Sequence, residues 1–491
     1  MTADARIEQL RKIKREALQG GGPERIAARR RIGEKTARER LNELLDPGTF
    51  VELDQFHAPR QVESAAGCAG GLGEGVVTGY GRVGGRSVYV FSRGAGIVSD
   101  APDDMSVQKI IKIMDLALKN GAPLIGLNGS GGAGVHGDSS SPTDGWAEVF
   151  FRNVMASGVV PQISAVMGTC TGGEAFPPVV TDFVVMVKGT GHMFVSGPEA
   201  VGVETGEEVT FEELGGAAVH DTKSGVAHLA ADDEAQCLKM IRKLLSYLPQ
   251  NNLEEAPYVE SREPADDAED ELGSVVPEGA EEPYDMRQVV TRVVDGGEFF
   301  EIQSGWARNL LVGFARLGGR SVGIVGNQPA HLGGALDVDA SVKGARFVRF
   351  CDAFNIPLVI LEDVPGFLPG RAQEHGGIVR AAAKLLYAFC EATVPKVTVI
   401  VRKANGAAYD VMCSKHVRAD FNFAWPSAEI TPTLAGAGDD TPGSPYIAAR
   451  RGYIDDIIEP RETRVRLISA LEACASKREG RPPKKHGNIP L

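Results

Sequence analysis

The sequence predicts an α/β protein built from two copies of one unit, and three observations lead to this fold class. Residues 79–410 contain the same segment twice at a constant offset of 234 positions. Each copy alternates apolar runs of strand length with runs of helical periodicity. Apolar runs in both copies continue into glycine-rich turns, where α/β sheets place their ligands. We therefore expect any site to use equivalent loops of both copies.

The repeat needs no gap to stay in register. Gly79–Val88 recurs as Gly313–Val322. The same shift of 234 positions aligns these further residues: Lys109 with Lys343, Pro123 with Pro357, Pro161 with Pro395, and Gly172-Gly173 with Gly406-Ala407. A repeat of this length is not chance composition, so the chain is a duplicated unit.

The order of elements follows from the pattern of apolar residues. Residues 4–46 predict two amphipathic helices that end at Asp46-Pro47-Gly48, and Thr49–Leu53 predicts a strand. Each copy then continues as strand, helix, strand, helix and strand. The predicted elements are strands 88–91, 124–127 and 162–167 with helix 107–119 in the first copy, and strands 322–325, 358–361 and 397–401 with helix 341–353 in the second.

The domain organisation follows the repeat. We expect an N-terminal domain over residues 1–249 and a C-terminal domain over residues 286–491. Residues 250–285 are rich in proline and acidic residues, which predicts a linker. Both domains are long enough to have a core of their own.

Composition excludes several classes of protein. The chain has 491 residues, a net charge of −13 and seven cysteines without a CxxC pair. Its basic residues are scattered apart from a run at 25–40 with helical spacing, so a nucleic-acid partner is not expected. Neither a disulfide framework nor a zinc site is predicted. Without an apolar stretch of membrane-spanning length or a signal peptide, the expected location is cytoplasmic.

The first candidate site is the glycine-rich loop Asn128–Gly134, which contains a formal GxGxxG after a strand. A dinucleotide site would need a helix to begin there, but Val135–Pro142 has loop composition. We therefore interpret the loop as one that brings backbone N–H groups to an oxygen of a ligand.

The second candidate is a pair of equivalent turns, Met167–Phe176 and Val401–Asp410. Each follows an apolar strand and precedes a stretch able to begin a helix, so consecutive amides could point into a cleft. Such donors stabilise an oxyanion, and losing one typically costs roughly a hundredfold or more in rate. The alternative is close helix–strand packing through small residues.

Motifs for nucleophiles, phosphates and metals are missing from the sequence. It contains no P-loop, no GxSxG elbow, no HExxH and no paired-carboxylate motif. Oxyanion donors without an evident nucleophile suit enolate chemistry on a thioester, in which the substrate or a cofactor carries the base.

At these turns the chain resembles the carboxyltransferase (beta) subunit of biotin-dependent acyl-CoA carboxylases, of the propionyl-CoA carboxylase beta type, within the crotonase-like superfamily. The similarity covers nearly the whole chain. It rests on these long motifs: Lys35–Leu41, Arg152–Gly158, Arg346–Pro357, Asp363–Gly370, Ala424–Ile430 and Lys485–Leu491.

The resemblance implies two tandem crotonase-like domains and a homo-oligomer, a hexamer formed as a trimer of dimers. It implies that Gly172 and Gly173 stabilise one oxyanion and Ala407 and Ala408 the other, one for the acyl-CoA enolate and one for the ureido oxygen of biotin. Biotin would arrive on a separate biotinylated alpha subunit, and no metal is expected. The implied substrate-binding residues are Gly131, Gly132, Ala133, Tyr409 and Asp410, of which Asp410 matches a position that influences acyl-chain choice.

Departures from the family pattern fall in the ligand-facing loops 93–104, 129–137, 380–383 and 431–444. The usual Asp-Ser-Gly-Gly-Ala-Arg is Gly129–Gly134, so a carboxylate and a guanidinium are lost. The usual Gly-Gly-Ala is Gly406-Ala407-Ala408, which requires a negative φ at Ala407. Carboxyl transfer to an acyl-CoA is the leading hypothesis. Biotin-independent decarboxylation of a malonyl-type thioester and a non-catalytic scaffold are the alternatives.

Overall fold

A computed structural model of the chain describes residues 2–18, 35–57, 76–94, 104–129, 143–264, 268–279, 281–431 and 443–490. The chain divides into two compact units. Unit 1 is Met1–Ser246 with Gln250–Asn252, and unit 2 is Tyr247–Pro249 with Leu253–Leu491. The expected linker 250–285 contains the helix Ala268–Val275, and Leu272 and Tyr284 are buried in unit 2.

The described residues of unit 1 form a seven-stranded sheet in the order β1-β2-β3-β4-β5-β7-β9 and a separate two-stranded sheet, β6-β8. The first three strands pair antiparallel and the following ones pair parallel. The strands are β1 Val51–Leu53, β2 Val76–Val83, β3 Arg86–Arg93, β4 Leu124–Asn128, β5 Gln162–Val166, β6 Thr169–Thr171, β7 Phe183–Val187, β8 His192–Phe194 and β9 Leu229–Ala231.

The helices of unit 1 connect these strands. They are α1 Ala3–Leu18, α2 Ala37–Leu44, α3 Asp104–Asn120, α4 Thr143–Ala156, α5 Phe176–Val180, α6 Pro198–Thr205, α7 Phe211–Gly215, α8 Ala217–Val219 and α9 Glu234–Tyr247. Helix α2 begins with a capping box, in which the Thr36 side chain accepts from the Glu39 N–H and the Glu39 carboxylate accepts from the Thr36 N–H.

Unit 2 repeats this arrangement. Its described strands form an eight-stranded sheet in the order β10-β11-β12-β13-β14-β15-β17, with β16 paired to β14. The strands are β10 Phe300–Ile302, β11 Leu310–Leu317, β12 Arg320–Asn327, β13 Leu358–Val364, β14 Lys396–Asn405, β15 Phe421–Ala424, β16 Glu429–Thr431 and β17 Asp456–Ile457.

The helices of unit 2 are α10 Ala268–Val275, α11 Arg287–Val293, α12 Val338–Ala353, α13 Arg371–Gly376, α14 Ile378–Glu391, α15 Gly406–Val411, α16 Pro445–Arg450 and α17 Thr463–Ala473. Asp337 caps the N-terminus of helix α12, where its side chain accepts from the Ala340 N–H. The predicted strands and helices of both copies are all present, so the predicted α/β class is confirmed.

The structural repeat extends further upstream than the gapless sequence repeat. In unit 1 Arg38 pairs with Glu52, and in unit 2 Arg287 pairs with Glu301, each at an offset of 249 positions (287 − 38 and 301 − 52). The offset exceeds 234 by 15 because the segment between β1 and β2 is longer than the one between β10 and β11. The N-terminal helix α2 is therefore the counterpart of α11.

A buried lysine at the same position of each copy anchors the helix after the first hairpin. The Nζ of Lys109 donates to the Val76 carbonyl. The Nζ of Lys343 donates to the carbonyls of Gln303 and Trp306, at 2.9 and 2.8 Å. Backbone carbonyls satisfy both ammonium groups, as burial of a charge requires.

Candidate active site

The first turn follows strands β5 and β6 and is a short 3-10 helix, Gly172–Ala175. Gly172 has φ +59°, in the left-handed region that glycine adopts without a steric cost. Its N–H donates to the Val195 carbonyl at 3.2 Å. Gly173 is exposed, and no described residue accepts from its N–H. Of the two predicted donors in this turn, Gly173 is the one whose N–H is available to a ligand.

Close packing does not explain the glycines of this turn. A Cβ placed on Gly172 or on Gly173 would have no atom within 4 Å. Glycine is needed at Gly172 for its φ, whereas the conformation of Gly173 admits a side chain. The packing alternative is therefore wrong for the first turn, which stands in open space.

The second turn joins strand β14 to helix α15 and has the same backbone. Gly406 has φ +60°. Ala407 is exposed and Ala408 is buried, and neither has a positive φ. Ala407 therefore meets the requirement, stated above, that an alanine in place of the usual second glycine has a negative φ. The first N–H groups of a helix have no acceptor within it, so this turn presents donors as the first one does.

A buried ion pair lies beside the first turn. The Nη2 of Arg93, at the end of β3, is 2.9 Å from Oε2 of Glu174. The Arg93 guanidinium lies 5.4 Å from the ring centre of Trp146. Arg40 Nη1 donates to the Arg93 carbonyl at 3.2 Å. Beside this pair, burial raises the pKa of Cys170 to about 12, so the cysteine next to the turn is a neutral thiol.

Under the second turn the structure places a carboxyl group without a partner. Glu362 lies within strand β13, two residues before its end, and its side chain is 0% exposed; no described residue hydrogen-bonds to either of its oxygens. Burial, with Asp410 and Asp363 nearby, raises the pKa of Glu362 well above its usual range. Burial therefore favours the neutral form of Glu362 beside Asp410.

The two predicted substrate-binding residues of helix α15 differ in surroundings. Tyr409 is fully buried, and its hydroxyl donates to the Tyr453 carbonyl at 3.2 Å. Asp410 is half-buried and accepts from the Ser414 hydroxyl at 2.8 Å. Asp410 is thus the one of the two that has access to a ligand.

The neighbouring Asp363 is fully satisfied. Its Oδ2 accepts from the Tyr284 hydroxyl at 2.8 Å and from Arg402 Nε at 3.0 Å, while Oδ1 accepts from the Lys403 N–H at 3.1 Å. Burial still raises the pKa of Asp363. This network joins the ends of β13 and β14 just before the second turn.

The predicted loop Gly129–Gly134 lies mostly outside the described residues, and with it Gly131, Gly132 and Ala133. At the same offset of 234, unit 2 has Gly366, with φ +144° and no atom within 4 Å of a Cβ placed there. Only a glycine adopts this φ readily, and the space around it is open. In unit 2 this loop therefore supplies accessible backbone next to the second strand end.

Three residues at these turns were not predicted from the sequence. Arg93 and Glu174 are 81 positions apart, and no spacing rule connects them. Glu362 lies one residue beyond the apolar run 358–361. An acidic residue directly after an apolar run was the one sequence feature that could have identified it. In the described part of the chain, no group of three or more His, Cys, Asp or Glu side chains could hold a metal ion.

The duplicated α/β unit thus has a left-handed glycine followed by an exposed residue at the same turn of each copy, the arrangement in which a protein of this class could offer N–H donors to an oxyanion. A family model, the carboxyl transferase domain, matches residues 28–438 and 437–489. The chain belongs to this family.

Two relatives and a solved structure show how far the similarity reaches. The propionyl-CoA carboxylase carboxyltransferase subunit of Haloferax mediterranei is 51% identical over 100% of both chains. The human mitochondrial propionyl-CoA carboxylase beta chain is 50% identical over 99% of this chain and 93% of its own length. A transcarboxylase 12S structure, described as a hexamer assembly with methylmalonyl-coenzyme A and methylmalonic acid bound, superposes with TM-score 0.92 at 43% identity over 100% of both chains.

These similarities confirm the predicted family, the crotonase-like fold and the class of reaction, carboxyl transfer on an acyl-CoA. They do not favour the two alternatives, biotin-independent decarboxylation and a non-catalytic scaffold. Among the residues that the structure describes, no helix has the length and apolar character needed to cross a membrane.

Proposed function

We propose that this chain is the carboxyltransferase subunit of a biotin-dependent acyl-CoA carboxylase with a short-chain acyl substrate of the propionyl type. The observation that carries the proposal is the pair of equivalent turns, in which Gly172 and Gly406 have φ of +59° and +60° and the next residue is exposed. Full-length relatives with carboxylase names support it. Its expected location is cytoplasmic.

In the proposed reaction, the thioester oxygen of the acyl-CoA accepts from the N–H of Gly173. Removal of the α-proton turns this oxygen into an enolate, and a preformed N–H donor stabilises the new charge without reorganisation. The α-carbon would then form a bond to the carboxyl carbon as the bond from that carbon to a ureido nitrogen of biotin breaks, and the proton removed from the α-carbon would end on that nitrogen. Hydrogen bonds of this kind that strengthen as charge develops raise kcat rather than substrate affinity.

The second turn fits the ureido group of biotin. Ala407 offers an exposed N–H, and open space surrounds the backbone of Gly366. Biotin on a separate alpha subunit would supply the activated carboxyl group. The chain's own part is to hold the ureido oxygen through Ala407 and Ala408 and to keep the floor of the turn uncharged through the protonated Glu362. The relative described as a hexamer supports the same assembly here.

The test is to incubate the purified chain with methylmalonyl-CoA and with malonyl-CoA, with and without free biotin, and to follow release of carbon dioxide. Release that requires biotin is the carboxyltransferase half-reaction in reverse and is the expected result. Release without biotin would identify a decarboxylase instead. No release from either thioester would contradict the proposal.

We also propose that Asp410 helps to select the acyl chain, because it is the accessible acid on helix α15. Replacing Asp410 with Ile removes a charge and fills the space with an apolar side chain, so the ratio of kcat/KM for longer over shorter acyl-CoAs should rise by about tenfold. Ser414→Ala, which removes only the hydrogen bond to Asp410, is the matched control. An unchanged preference in an active Asp410→Ile variant would refute this role.

A further inference from the structure

The first turn has one polar side-chain contact on its open side, the ion pair between Arg93 and Glu174. Glu174 is the only residue of Gly172–Ala175 with a polar side chain. Its carboxylate lies 2.9 Å from the Arg93 guanidinium, and the two side chains are 18% and 5% exposed. At this depth, solvent and salt screen the attraction much less than at the surface.

Contacts at both ends of the turn also hold it, because the Gly172 N–H donates to the Val195 carbonyl and Ala175 is buried in a core cluster with Cys170 and Met193. Gly172 and Gly173 have no packing neighbours at their Cβ positions. A small cavity adjoins Glu174 and is lined by Phe91, Asn128, Trp146 and Thr181 among others. Between these ends, the direction of the Gly173 N–H depends on the Glu174–Arg93 pair as well as on the bond from Gly172 to Val195 and the burial of Ala175.

Arg93 is itself firmly placed. Its guanidinium lies over the Trp146 ring, and its carbonyl accepts from Arg40 Nη1. Arg40 is in turn fixed by Glu234, whose Oε2 accepts from Arg40 Nε at 3.0 Å. A planar guanidinium with contacts on several sides has little freedom left, so Arg93 can act as a fixed point for Glu174.

The second copy shows that the fold itself does not need this pair. At the offset of 234, the counterparts of Arg93 and Glu174 are Asn327 and Ala408. Asn327 Nδ2 donates to the Gly334 carbonyl at 3.1 Å, and Ala408 is buried. Gly406 nevertheless has the same φ as Gly172. The ion pair therefore belongs to the particular task of the first turn.

We propose that Arg93 and Glu174 form a positioning pair that fixes the direction of the Gly173 N–H and thereby sets the rate of enolate formation. The inference rests on the proposed function, in which this N–H stabilises the enolate oxygen. The pair is assigned to act on the substrate through Gly173. A donor misplaced by about 1 Å can cost about a hundredfold in rate, so a small rotation of the turn is sufficient.

The kinetic test uses Glu174→Gln and Arg93→Met, alone and combined, in the biotin-dependent decarboxylation assay. We expect each single change to lower kcat by about 10- to 100-fold with KM within about threefold of wild type. The double variant should lose no more than the worse single variant, because the two residues act as a unit. Arg93→Lys, which keeps the charge, should recover part of the loss.

The matched control is Asp232→Asn, which removes the exposed Lys188–Asp232 pair of the same unit. It should leave kcat unchanged, and urea unfolding checks that every variant folds. Values of kcat within twofold of wild type in both single variants would overturn the proposal.

Amide hydrogen exchange gives a second readout that needs no turnover. We expect the Gly172 amide, which donates to the Val195 carbonyl, to exchange at least tenfold faster in Glu174→Gln than in wild type or Asp232→Asn. Unchanged exchange overturns the positioning role whatever happens to kcat. If the wild-type chain shows no biotin-dependent activity, the proposed function fails, while exchange still decides whether the pair holds the turn.

Discussion

Gly172 and Gly173 are adjacent glycines with different requirements. Gly172 has a φ of +59°, where an L-residue carries a steric cost, whereas a Cβ on either residue meets nothing within 4 Å. The second copy already has an alanine at the position of Gly173. Backbone conformation, not space, therefore decides which of the two must be glycine.

From this difference we predict opposite outcomes for two alanine substitutions. Gly172→Ala should lower the free energy of unfolding by about 1–2 kcal/mol, the cost of a left-handed residue with a Cβ. Gly173→Ala should change it by less than about 0.5 kcal/mol. Urea unfolding of the two variants measures both values, and equal losses would contradict this account of the turn.

Glu362 gives the second turn a pH response. Its pKa is raised by burial and by the nearby Asp410 and Asp363. The folded protein therefore keeps a proton that the unfolded chain releases above about pH 4.3. The resulting stabilisation is complete below that pH and declines as the pH rises toward the folded pKa.

Replacing Glu362 with Gln removes this titration, so the variant should gain on wild type as the pH rises from 5 to 9. Over this pH range the free energy of unfolding of the variant should rise relative to wild type by at most about 1.4 kcal/mol per pH unit. Urea unfolding at a series of pH values measures it. Glu374→Gln, at an exposed site on α13, should follow the wild-type curve. If the free energy of unfolding of Glu362→Gln changed with pH in parallel with that of wild type, Glu362 would be ionised in the folded protein.

At the level of elements, an aspartate fastens the first hairpin turn of each copy. Asp46 accepts from the N–H groups of Gly84 and Gly85, at 3.1 and 2.7 Å, and from Arg242 at 2.9 Å. The counterpart in unit 2 is Asp295, which accepts from Gly318 and Gly319 at 3.1 and 2.7 Å and pairs with Arg464 at 2.8 Å.

Asn at either position can accept at only one oxygen, so both hairpins should weaken. We expect Asp46→Asn to cost about 1.5–3 kcal/mol, the range for hydrogen bonds to a charged group. Asp295→Asn should cost more, about 3 kcal/mol, because Asp295 and Arg464 are both buried and Arg464 keeps only the exposed Glu263 as an acidic partner among the described residues. Urea unfolding measures which of the two variants loses more stability, with Asp232→Asn as a surface control. An equal or smaller loss for Asp295→Asn would contradict the expected order.

The elements that sequence predicts best are those with a strong local period. Helix 107–119 and strands 124–127 and 162–167 were placed within a few residues because their apolar spacing is regular. The relation of α2 to α11 was missed, since the change of offset between β1 and β2 ends any gapless comparison. The Arg93–Glu174 contact was missed because only the folded sheet brings residues so distant in sequence together.

The candidate turns were predicted as positions, but their surroundings were not. The glycine pattern identified residues 172–173 and 406–408, since strand ends followed by small residues have a recognisable form. Which N–H remains available depends on Val195, and the neutral state of Glu362 depends on burial. Both are properties of tertiary packing.

At the level of the whole molecule, the relative described as a hexamer predicts a large assembly for this chain. A chain of 52.1 kDa should sediment as one species of six copies. Analytical ultracentrifugation at micromolar concentration measures this mass. A monomer or dimer across the concentration range would contradict the proposed assembly.

The two left-handed glycines also indicate the order of events in the history of the chain. Gly172 and Gly406 differ by one degree in φ, while the residues around them have diverged, with Glu174 opposite Ala408 and Asn128 opposite Glu362. The turn was therefore present in a single ancestral unit before the duplication. The charged residues differ between the copies, so these positions diverged after the duplication, and a reconstructed half-length ancestor should carry the turn.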